Sequence, residues 1–298
     1  MALVTVSGQA SDWLVRVRTA GAAYAVRTDG TRVATLTPAL DDVSPTGDRV
    51  LEKHFGAGTY RIFAARPKGA DRRALAGGGP VLEARWAGDG RHVLYVAVLG
   101  GRPQAFRTDA ASGVPEPLTN DAEGVRDPQQ ARDGTLTYLA LRSAKAVEES
   151  RQLSLDERLA WKGTLDRVDL VTLRDGRSQT VARDLVVYAY GLSPDGRTVA
   201  YSTTGRLVIA DLDGKHRREF EFGELDPRLT QHAITPIVWR PDGGALLFRA
   251  TFIGGRSASG GEEVFGDRDC FVLDLASRHV QRFRVETDAR VDWIAGEP

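Results

Sequence analysis

Seven side chains in this 298-residue chain place acids, bases and an amide at related spacings: Asp42, Glu83, Arg85, Asp127, Gln129, Arg290 and Asp292. Paired carboxylates do acid–base work where a closed pocket separates their pKa values, and carboxylates interleaved with arginines hold polar ligands. Other chemistry finds little support. There is no Gly-x-Ser-x-Gly nucleophile elbow, no Walker-type phosphate loop and no Gly-x-Gly-x-x-Gly after a strand. The five histidines, His54, His92, His216, His232 and His279, lack metal-ligand spacing, so no metal is expected. The sequence assigns no catalytic residue and no cofactor.

The elements that must carry these seven residues repeat along the chain. The clearest unit spans 185–222: an apolar strand to Leu192, the turn Pro194-Asp195-Gly196, strands ending at Tyr201 and Asp211, then Asp213-Gly214 and a strand to Phe220. Asp-Gly tolerates the positive φ of tight hairpins, and the runs between turns alternate as half-buried strands do. A second copy begins Pro236-Ile-Val-Trp239-Arg-Pro-Asp-Gly243, and a third Leu82-Glu-Ala-Arg-Trp86-Ala-Gly-Asp-Gly90. Weaker copies run from Asp42 and from Gln130. Residues 13–18, 23–27 and 32–36 supply three more strands, and Arg290-Val-Asp-Trp293 resembles the inner strand they lack.

The expected architecture is therefore all-β: a six-bladed β-propeller of one domain, closed by the C-terminal strand joining the N-terminal blade. Blades are expected at about 1–38 with 288–298, 39–79, 80–121, 122–184, 185–229 and 230–287. Trp-x-Pro-Asp-Gly before an apolar strand resembles the repeat of TolB and its relatives, the PD40 repeat; Trp239 with Pro241-Asp242-Gly243 and Leu192 with Pro194-Asp195-Gly196 carry it best. That resemblance implies a WD40-like propeller. It specifies function poorly, because the repeat also occurs in propellers attached to peptidases and amidohydrolases.

Two segments break the rhythm. Residues 144–162 read as a short helix, with Leu159 and Trp161 as a candidate partner-binding rim, and 254–267 read as a Gly/Ser loop. Counting back one and three residues from the Trp-equivalent positions puts the seven candidates on one face of the inner strands, by the two-residue period. Ala189, Gly191, Pro236 and Val238 fall in the same series and form an apolar arc beside them.

Bulk properties narrow the partners. With 40 basic and 40 acidic residues the net charge is zero, which gives no global field for nucleic acid or an anionic membrane. No run of 18 apolar residues occurs, so no transmembrane helix is expected. Cys270 is the sole cysteine, which rules out an intrachain disulfide. The opening Met1-Ala-Leu-Val-Thr-Val lacks a secretory pattern; the protein is expected in the cytoplasm, or in the periplasm or outside the cell if a leader was removed. The reading that follows is a monomeric, non-enzymatic propeller binding a protein or a small polar ligand at the channel mouth. Two alternatives stay open: a hydrolase or lyase acting on a glycan or lactone, and an accessory domain of a larger peptidase or amidohydrolase.

Overall fold

The turns that divide the chain into strands share one geometry. In the computed structural model Gly90, Gly134, Gly196 and Gly243 take φ values of 68°, 89°, 67° and 76°. The amide of each donates to the carbonyl three residues back, at 2.8–3.1 Å. The aspartate before each glycine accepts from the amide two residues ahead of itself, at 2.8–3.1 Å. Glycine is required for the left-handed φ, and aspartate for the side-chain acceptor that closes the turn. The structure describes residues 13–19, 22–36, 42–46, 48–56, 59–66, 70–75, 80–142, 167–227, 229, 232–252, 266–286 and 289–295. The helix expected over 144–162, with Leu159 and Trp161, lies outside them, as does most of the 254–267 loop.

Strands β1 (Trp13–Arg18), β2 (Ala23–Val26) and β3 (Arg32–Leu36) open the chain. The next group is β4 (Asp42–Val43), β5 (Val50–Gly56), β6 (Thr59–Ala65) and β7 (Arg73–Ala74). It is followed by β8 (Val81–Trp86), β9 (His92–Leu99), β10 (Arg102–Asp109) and β11 (Pro115–Pro117). A fourth set comprises β12 (Val125–Gln130), β13 (Leu136–Leu141), β14 (Arg167–Arg174) and β15 (Arg177–Val186). A fifth comprises β16 (Ala189–Leu192), β17 (Thr198–Thr203), β18 (Arg206–Asp211) and β19 (Arg218–Glu221), with the one-turn helix α1 (Phe222–Leu225) after it. The last strands are β20 (His232–Trp239), β21 (Ala245–Phe252), β22 (Gly266–Asp274), β23 (Val280–Arg284) and β24 (Arg290–Ala295).

Each set pairs antiparallel in sequence order, and β24 joins the first three strands in the order β24-β1-β2-β3. Its register runs from Trp13 opposite Ala295 to Arg18 opposite Arg290. A single bridge between Tyr60 and Val81 links the second and third sets into one eight-stranded sheet.

Apolar side chains fill the spaces between successive sheets. Leu207, Ile209, Leu246, Phe248 and Phe271 pack between the fifth and sixth sets. Val15, Val17, Leu247, Cys270 and Trp293 pack between the sixth set and the β24-β1-β2-β3 sheet. Similar clusters join the second set to the third, the third to the fourth and the fourth to the fifth. Among the described residues, no apolar cluster joins the β24-β1-β2-β3 sheet to β4–β7. Arg290 Nη1 and Asp42 Oδ1, 3.8 Å apart, meet across that seam instead.

Candidate functional site

All seven candidate residues lie on β4, β8, β12 and β24, and side chains tie these strands, with β16 and β20, to their neighbours. The indole N–H of Trp86 donates to Asp42 O at 2.8 Å, that of Trp239 to Gly191 O at 2.7 Å, and that of Trp293 to Val238 O at 3.2 Å. Each acceptor occupies the same repeat position, one before the Trp-equivalent residue of the preceding sheet. Gly191 suits this contact, since a Cβ there would lie 2.7 Å from Ile237 O and 3.2 Å from the Trp239 ring. Where Leu192 takes the place of the Trp on β16, Gln129 supplies the link between β12 and β16. Its Nε2 donates to Tyr190 O and its Oε1 accepts from Leu192 N, both at 2.9 Å. Gln129 thus lies where the sequence reading put it, but its amide is spent on the neighbouring strand.

Three other candidates gather where β8 faces β12. Arg85 pairs with the Asp127 carboxylate. Glu83 Oε1 accepts the Asp127 backbone N–H at 2.7 Å. Asp127 holds a φ of 52°, and the β12–β13 register slips by one residue between Arg126 and Gln129. This bulge interrupts the two-residue period assumed from sequence and re-aims Asp127 toward Arg85. Pro128, inside the strand, was its signal, because proline cannot donate to a ladder. A matching slip lies between Ile234 and Ile237, around Pro236, and another between Val81 and Glu83.

The sequence reading missed Tyr190, which is 2% exposed. Its hydroxyl donates to the Asp127 carbonyl and lies 3.0 Å from Thr137 O, pinning the bulge. Burial, and then the Asp127 charge, push its phenol well above the ordinary value. No local motif marks such a residue; only the packing of β16 on β12 does.

The remaining candidates form ion pairs. Asp42 pairs with Lys53, which also donates to Ala84 O at 3.1 Å. Asp292 accepts a fork from Arg16, at 2.7 and 2.8 Å, and a third bond from Arg18 at 2.9 Å.

Two cavities flank this framework. The larger, about 610 Å³, is lined by residues of β8, β12, β16 and β20 and by the turns after them, from Arg85 and Asp127 to Pro194 and Pro241. The smaller, about 250 Å³, is lined by Lys53, Tyr60, Glu83 and Arg290 among others.

No family model matches the sequence, and no curated protein matches it. Solved structures do. TolB from Acinetobacter baumannii superposes with a TM-score of 0.58 at 13% identity, over 94% of this chain and 66% of that one. A structure assigned to TolB of Agrobacterium tumefaciens gives 0.59 at 14% identity, over 96% of this chain and 99% of that one. The fold is that of a TolB-like β-propeller. An oligogalacturonate lyase in complex with manganese gives 0.56 at 16% identity, over 81% of this chain and 63% of that one. This chain therefore spans just under two thirds of the Acinetobacter and lyase chains. At these identities the likeness is one of fold.

Among the described residues, no three His, Cys, Asp or Glu side chains gather as a metal ion would require. The carboxylate beside the ion pair has a distinct electrostatic setting. Burial first, then the Asp127 charge, raise the Glu83 carboxyl above its ordinary value, and Arg85 offsets only part of this. For Arg85, burial opposes the charge, but Asp127 and Glu83 more than compensate and hold it cationic.

A raised carboxyl pKa means the folded state keeps a proton that the unfolded state releases. Stability should therefore fall as pH rises from the ordinary glutamate range through the raised folded value. In Glu83→Gln that fall should be smaller, so the variant gains stability on wild type between pH 4 and neutral pH. Urea unfolding midpoints across that range check this; parallel pH profiles for the two proteins would contradict the assignment.

Proposed function

We propose that this chain is a non-enzymatic binding propeller that takes a small polar ligand or a protein segment at one face, in the larger cavity. The six sets of strands form its blades, with the boundaries expected from sequence, and β24 paired with β1 closes the ring. The pairing of β24 with β1 and the side-chain ties between neighbouring terminal strands support that closure. The single observation that carries the function is the cavity of about 610 Å³ where four terminal strands and their turns converge, one arc ionic and the other apolar. Cavities of this size that join apolar walls to a few polar groups are the usual form of ligand sites.

A thermal-shift screen of small polar molecules tests this. Ligands at about 100 times their Kd stabilise a protein by roughly 2.7 kcal/mol, which reads as a clear rise in Tm. The expected result is a set of ligands that raise the Tm of wild type and not of Leu192→Trp, which narrows the cavity. Trp occupies the equivalent position in three other sheets, so the repeat accommodates it. Hits that act equally on both proteins would place binding elsewhere. Reproducible turnover abolished by Glu83→Gln or Asp127→Asn would overturn the non-enzymatic part.

The raised Glu83 carboxyl beside Asp127 favours one second reading, a hydrolase or lyase using channel carboxylates for acid–base chemistry.

A further inference from the structure

Most polar groups that wall the larger cavity are already committed to the protein. The Trp86 and Trp239 indoles donate to Asp42 O and Gly191 O, so both rings offer the cavity only carbon. The Gln129 amide bonds β16 at both ends, and the Tyr190 hydroxyl is held by Asp127 O and Thr137 O. Arg85 differs. A guanidinium carries five N–H donors in a planar fork, yet among the described residues Arg85 pairs with Asp127 alone. Its side chain keeps 40% exposure and lines the cavity, so unspent donors face that space. Gln130 Oε1, on the same wall, is buried with no partner.

Charge selects the occupant's sign. The charged side chains lining this cavity are Arg85, Arg132 and Asp127, two positive against one negative, a balance of +1. Much of the remaining lining is carbon: Pro45, Trp86, Leu192, Pro194, Trp239 and Pro241. A planar guanidinium matches a carboxylate in a two-bond fork, and the apolar wall matches a hydrocarbon or aromatic body.

We infer that the larger cavity binds a small organic carboxylate with an apolar body, its carboxylate forked on Arg85 and its body against Trp86, Leu192 and Trp239. This rests on the binding reading above and names its ligand class. The ligand enters from the face that carries the Pro-Asp-Gly turns, since Pro45, Pro194 and Pro241 rim the same cavity.

Isothermal titration of the full chain with 4-phenylbutyrate and with its neutral amide, 4-phenylbutyramide, tests the assignment. The acid is expected to bind saturably and at least about tenfold more tightly than the amide. Arg85→Gln should weaken the acid by about tenfold or more and leave the amide unchanged, while Leu192→Trp should weaken both. If Arg85→Gln fails to fold, the acid-to-amide ratio in wild type and the Leu192→Trp result still decide. Equal binding of acid and amide, or an acid affinity untouched by Arg85→Gln, overturns the carboxylate assignment. If both probes are lost in Leu192→Trp, the cavity survives as a ligand site even then. No saturable binding of either probe overturns the assignment, and the broader reading is then judged by the thermal-shift screen alone.

Discussion

Trp239→Ala is expected to destabilise the protein by about 3–5 kcal/mol, the range for emptying a large aromatic from a packed interior. Trp239 is 8% exposed and packs with Leu246, Phe248 and Ile237. Its indole N–H is also the bond from β20 to β16, at 2.7 Å from Gly191 O. Alanine removes the ring and, with it, that bond between the sheets. Trp239→Phe separates the two effects: most of the packing stays, and about 1 kcal/mol should be lost with the hydrogen bond. Denaturant unfolding of both variants measures this. A cost for Trp239→Ala below about 1 kcal/mol would mean that the repeat tryptophans do not tie the sheets together.

Removing residues 290–298 should have a larger effect. The deletion strips β24 from β1, takes Trp293 out of its cluster with Val15 and Val17, and leaves Arg16 and Arg18 without Asp292. It also bares the edge of β1, a row of open backbone donors and acceptors that invites aggregation. The expected outcome is loss of the cooperative unfolding transition, read by circular dichroism against urea. Asp292→Asn is the milder control. It keeps the strand and weakens the two arginine contacts, at a cost of about 1–2 kcal/mol because these groups are partly buried. A truncated chain that unfolds as cooperatively as the full one would show that β24 is dispensable.

The strands and turns were legible because their causes are local. Asp-Gly at Asp89, Asp195 and Asp242 dictates the hairpin wherever it occurs, and apolar alternation marks the strands between. The C-terminal strand was legible for the same reason, since Trp293 sits in a repeat pattern whose other copies are intact. What the tryptophans do was not legible: their N–H partners lie 44, 48 and 55 residues away, on other sheets. Position in the repeat placed Glu83, Arg85 and Asp127 together, but their geometry depends on a bulge. Pro128 hinted at that bulge, and Tyr190, from another sheet, fixes it. Gln129 shows the limit of reading chemistry from residue type. An amide that looks free for a ligand instead replaces a missing tryptophan between β12 and β16.

The proposed ligand site in the larger cavity is anchored at Arg85. The most direct test is a crystal structure of the full chain soaked in 4-phenylbutyrate. The prediction is density for the carboxylate forked on Arg85, with the ring against Trp86 and Leu192. A cavity that shows no ligand density after soaking, with Arg85 still paired to Asp127 alone, would contradict it.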